Sequence, residues 1–113
     1  MSLFLLSSVI AAPTSKNELA PLTDIARSVD FSAKGGNWNA AIRQHTELAK
    51  QWAALRPSLV RGVSVAAQAQ SIDASMKWQR AAIDRRDAGN VHRATSTTSK
   101  AIHEIQEMPA APR

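Results

Sequence analysis

Between Asn37 and Leu59 the chain reads NWNAAIRQHTELAKQWAALRPSL, and Trp38, His45, Trp52 and Leu59 stand seven residues apart. Ala41, Leu48 and Leu55 follow the first three of these by three residues. A period near 3.5 therefore draws one stripe, apolar except for His45, down a helix of about four to five turns. Asn37 is a good N-cap for this helix and leaves Trp38 in its first turn. Pro57 ends or kinks it, because Arg56 before a proline is pushed away from helical dihedrals; Pro57 could equally be the first residue of one more turn.

Three weaker stripes surround this one. Leu22, Ile25, Ala26 and Val29 recur at i, i+3, i+4 and i+7, predicting a short first helix that starts at Pro21 and ends before Gly35 and Gly36, where a left-handed cap is easily made. After Gly62 a third helix is expected to run to about Ala88, with Val65, Ala69, Ile72, Met76, Gln79 and Ile83 on one face and Ser75, Trp78 and Ala82 on its flank. Gly89 would close it and Asn90 would cap a fourth helix, whose stripe is Val91, Ala94, Thr98, Ala101, Ile102, Ile105 and Met108. Pro109 and Pro112 forbid further helix. Gly36-Asn37-Trp38 set beside Gly89-Asn90-Val91 gives a weak internal echo at an offset of 53 (36 to 89), in which stripe positions meet stripe positions. The fold class expected is all-α: an up-down-up-down four-helix bundle made of two helical hairpins, the first helix short.

Composition narrows the picture. In 113 residues there is room for one domain and one modest core. The hydrophobic 44% is rich in alanine and contains no Tyr, two Phe and three Trp, which suits closely approaching helices better than a sheet. The absence of Cys removes disulfides, thiolate nucleophiles and iron-sulfur clusters together. A net charge of +5 would favour anionic partners, but the basic residues are spread along the chain. A nucleic-acid interface needs Lys and Arg gathered on one face, and none is evident, so nucleic acid is not expected as a partner.

At the N-terminus, Leu3 to Ala12 form an apolar run interrupted only by two serines. Such a run is too short to span a bilayer but suits the apolar region of a signal peptide, with the small Ala11 and Ala12 following as a cleavage site requires. No positive charge precedes it, which fits a longer signal or anchor beginning upstream. Residues 1–16 are read as this leader, 17–108 as the bundle and 109–113 as a disordered tail. The implied location is outside the cytoplasm: periplasmic, extracellular or tethered to the membrane through the N-terminus.

Few residues suggest chemistry. Trp38, His45 and Trp52 are the candidates for lining a pocket, for a small apolar molecule, haem or a metal. The alternative for His45 is a neutral core histidine, hydrogen-bonded to a neighbouring helix, whose pKa burial would depress. His92 and His103 lie about 16 Å apart along one helix and cannot share a metal. His103 with Glu107 has the spacing of a surface pair. No HExxH, ExxH or cysteine cluster supplies a metal site. Small exported four-helix bundles of the cytochrome b562 type hold haem through a methionine on the first helix and a histidine late on the last. His103 stands roughly at the latter place, but the first helix has no methionine, so no cofactor is expected.

Asp73, Asp84, Asp87 and Glu104 read as helix-surface groups beside Arg or Lys, with no acid and base pair for catalysis. The run AIDRRDAGN, Ala81 to Asn90, sums to zero charge and reads as a solvated hairpin end. TSTTS, Thr95 to Ser99, should lie partly on the solvent face with Thr98 inward.

The order of NWNAA, a Trp fourteen residues later, IDASM, AIDRRDAGNV and AIHEI, behind an apolar N-terminus, resembles a family of small bacterial proteins of unknown function. The resemblance spans about residues 20 to 107. It implies an N-terminal membrane segment followed by an extracytoplasmic helical bundle, with no catalytic or ligand residue to carry over. The expected function is a non-enzymatic structural or protein-interaction module at the cell envelope. A ligand-binding bundle and a binder of anionic polymers are the alternatives.

Overall fold

A computed structural model describes residues 16–62 and 65–108. Most of the N-terminal leader and the whole C-terminal tail lie outside the described residues. A 3-10 turn, Lys16–Leu19, leads into α1 (Ala20–Lys34), followed by α2 (Trp38–Gly62), α3 (Ala66–Asp84) and α4 (Ala88–Gln106). The helices form a four-helix bundle. Each packs on its neighbours in chain order, and α1 closes the ring against α4.

The first hairpin turn follows from its residues. Gly36 adopts φ of 75° and its N–H donates to the Ala33 carbonyl, while the Asn37 N–H donates to Ser32. This is the paired closure of a left-handed helix cap, available to glycine without steric cost. Asn37 then turns its side-chain oxygen to the Ala40 N–H at 3.2 Å, capping α2.

The second turn is built identically but not from the expected residues. Arg86, with φ of 53°, takes the place of Gly36, and Asp87 takes that of Asn37. Asp87 accepts from the Asn90 N–H at 3.1 Å and from the Asn90 side chain at 2.6 Å. So α3 stops at Asp84, and Gly89 and Asn90 lie inside the first turn of α4 rather than before it. Asn90 was the expected cap; the carboxylate three residues earlier performs that role because it can reach two donors. The repeat offset is accordingly 50 (36 to 86, 37 to 87), not 53. Buried positions correspond at this offset as well, with Leu22, Ala33, Ala41, His45, Leu48 and Trp52 matched by Ile72, Ile83, Val91, Thr95, Thr98 and Ile102.

Pro57 does not end α2, which continues to Gly62. The helix therefore lacks one internal donor there, and the stripe still delivers Leu59, 3% exposed, to the core.

Two apolar clusters fill the interior. The larger gathers Leu22, Leu48, Trp52, Leu59, Ile72, Met76, Ile102 and Ile105 with others, toward the end where α2 passes to α3. The smaller, Val29, Ala33, Ala41, Ala82, Ile83 and Val91, lies beside the two hairpin turns with Trp38 against it. Between these clusters, on α2, α3 and α4, lie the buried polar side chains His45, Ser75, Gln79, Thr95 and Thr98, with Ala94 beside them.

Candidate functional site

The interior polar positions form a hydrogen-bonded belt across three helices. His45 on α2 lies 2.7 Å from Gln79 Oε1 on α3 through its Nδ1. Because that oxygen only accepts, Nδ1 carries the proton. The Gln79 amide nitrogen then donates to Thr95 Oγ1 on α4 at 2.9 Å. One turn away, the Ser75 and Thr98 hydroxyls meet at 2.6 Å, one donating to the other, and the accepting hydroxyl gives its own proton to a carbonyl of its helix, Ile72 for Ser75 or Ala94 for Thr98, each 3.0 Å away. All five side chains are buried, with Gln79 and Thr98 wholly so. Each hydroxyl or amide here satisfies another that burial would otherwise leave unpaired, at about 1–3 kcal/mol per orphaned group. Burial holds the His45 imidazole below its ordinary pKa, with a smaller contribution from Arg80; the hydrogen bond to Gln79 and the charge of Asp84 oppose it.

Trp38, His45 and Trp52 do not converge on one pocket. Seven residues of helix separate each from the next, about 10 Å along α2. Trp38 sits half-buried at the smaller cluster, His45 in the belt and Trp52 in the larger cluster, 4% exposed. Trp52 reaches outward as well, its indole N–H donating to Asp73 Oδ1 on α3 at 2.7 Å. Arg56, one turn further on, adds its guanidinium to the same carboxylate, with Nη2 at 2.8 Å from Oδ2. Burial alone would raise the Asp73 pKa, but the donated hydrogen bonds of Trp52 and Arg56, with the charges of Arg56 and Lys77, outweigh it and hold the carboxyl below the ordinary range.

A third polar contact joins α1 to α4. His92 Nδ1 lies 2.9 Å from Asp30 Oδ2, and Lys34 stands 3.8 Å from the same oxygen. Asp30 Oδ1 is fully buried without a partner.

The sequence pattern placed His45 and Gln79 correctly on inward stripes but could not pair them. Thr95 was expected toward solvent with its hydroxyl-rich neighbours and instead is 4% exposed. Its signal was available: Thr95 lies four residues after Val91 and three before Thr98, both on the stripe. Asp73 does meet an arginine, but Arg56 and its second partner, Trp52, both come from α2, 17 and 21 residues away, and periodicity within α3 could name neither. Trp78 and Phe31, 37% and 80% exposed, face outward.

Among the described residues no three His, Asp or Glu side chains gather as a metal group, and no helix is long and apolar enough to cross a membrane. Comparison with family models, curated proteins and solved structures returns no match. The class defined by the coordinates is thus a four-helix bundle with a polar belt through its core.

Proposed function

We propose that this chain is a non-enzymatic structural or protein-interaction module that works at the cell envelope, exported or tethered through its apolar N-terminus. The observation that carries this reading is the division of labour among its side chains. The buried polar groups of the belt are spent on one another, whereas Phe31 and Trp78, large apolar side chains that the core could have used, are presented to solvent. Exposed aromatics are the side chains that most often anchor protein contacts. The apolar run Leu3 to Ala12 within the leader, residues 1–16, and the resemblance to membrane-anchored extracytoplasmic bundles support the location.

The test combines two measurements on the full chain in its native host. Cell fractionation with mass spectrometry of the mature protein should find it in the envelope or outside the cell. A photo-crosslinking residue at position 78 or 31 should give a defined adduct there, and one at Lys100, on the outer face of α4, should not. Recovery in the cytosol with its leader intact, and equal labelling from all three positions, would refute the proposal.

A further inference from the structure

Two seams join the hairpins, α1 against α4 and the less extensive α2 against α3. Each carries a histidine in an opposite setting. On the α2–α3 seam His45 is buried and bonded to the neutral Gln79, with the neutral Thr95 beyond it on α4. The charges acting on it are Arg80 and Asp84, both on α3 and already paired with each other at 3.0 Å. No carboxylate belongs to the belt, so a proton on His45 places an uncompensated charge between two apolar clusters. Burial of such a charge is relieved when the group reaches water.

The α1–α4 seam is the more extensive and holds a contact of its own. His92 is half-exposed and lies against the carboxylate of Asp30, whose other oxygen is buried and unpartnered. Lys34 of α1 stands beside the same carboxylate, so this contact ties α1 to α4. At the far end of the α2–α3 seam, Asp73 keeps its charge in mild acid and holds Trp52 and Arg56.

We propose that the bundle contains an acid-operated hinge: on mild acidification α2 and α3 part at the end bearing the hairpin turns, while the Asp30–His92 contact keeps α1 and α4 closed and the Asp73 clamp keeps the opposite end shut. The wedge exposes the smaller cluster, Ala41, Ala82, Ile83 and Val91, together with Trp38. A surface hidden at neutral pH thereby becomes available in acid.

Residue-resolved amide hydrogen exchange on the intact protein, corrected for intrinsic rate, tests this between about pH 7 and about pH 5.5, the range in which histidine takes up its proton. Protection should fall along Ala41 to Leu48 and Met76 to Ile83 and persist in α1 and the α4 residues facing it. Uptake of one proton on opening raises the opening equilibrium by up to about tenfold per pH unit. His45→Gln, which keeps a donor for Gln79 and cannot titrate in this range, should abolish the response. In His92→Gln the loss should spread to α1 and α4. A uniform loss over all four helices, no loss at all, or an acid response that survives in His45→Gln would overturn the hinge. Should His45→Gln not fold, the wild-type exchange profile decides the question alone.

Discussion

Replacing Trp52 by alanine tests the packing of the whole bundle. The side chain is 4% exposed within the larger cluster, with Leu48 and Leu55 on the same helix stripe and Ile72, Met76 and Ile102 contributed by α3 and α4. Removing a buried indole costs about 3 to 5 kcal/mol, as lost transfer energy and the cavity left behind. The lost hydrogen bond to Asp73 adds at the low end of its usual range, about 1 kcal/mol, because Arg56 still occupies that carboxylate and Asp73 is itself partly open to water. A domain of this size has about 5 to 15 kcal/mol in total. Urea unfolding at neutral pH, followed by circular dichroism, should therefore show the midpoint of Trp52→Ala reduced by about 2 to 4 M, or a chain largely unfolded without denaturant. Trp52→Phe separates the two contributions: it keeps most of the volume, loses the donor and should cost about 1 to 2 kcal/mol. A midpoint for Trp52→Ala within about 0.5 M of wild type would refute the packing argument, since no relaxation of neighbouring helices fills an indole-sized void so completely.

Thr95→Val is nearly isosteric yet strips the acceptor from the Gln79 amide, and chemical denaturation should show a loss of about 1 to 3 kcal/mol. Combining it with Gln79→Leu should cost less than the two single losses added, because no orphaned group then remains between them. Arg86→Gly relieves a left-handed backbone at a non-glycine residue and should leave stability unchanged or raise it by up to about 1 kcal/mol in a thermal melt, the gain limited by the entropy glycine loses on folding. Pro57→Ala restores a helix donor within α2 and should raise the melting temperature, by about 1 to 3 kcal/mol in free energy. Asp73 has its pKa depressed in the folded state, so its contribution is full above the ordinary carboxylate range and is lost as pH falls through the folded value. In an acid titration the advantage of wild type over Asp73→Asn should therefore persist down to the ordinary carboxylate range and shrink only below it. An advantage already lost above that range would contradict the assignment.

Local pattern alone specified four helices, their order and nearly every apolar core position, because a helix that must bury one side repeats that requirement at every turn and so writes it many times over. Trp52, Leu48, Ile72 and Ile102 each belonged to such a repeated series. Single events were less legible. The second hairpin turn misled because Gly89-Asn90 imitates Gly36-Asn37, while the residues that build the turn, Arg86 and Asp87, carry no glycine to announce a left-handed backbone. Pro57 misled because the helix tolerates one missing donor there and runs on to Gly62, carrying Leu59 into the core.

Only the assembled bundle decided which polar residues meet. His45, Gln79 and Thr95 are separated by 34 and 16 residues and are brought into one chain of hydrogen bonds by the stacking of two hairpins. Periodicity reports which side of a helix is dry, a property each segment possesses by itself. Partnership depends on the relative height and rotation of neighbouring helices, which the packed core as a whole sets.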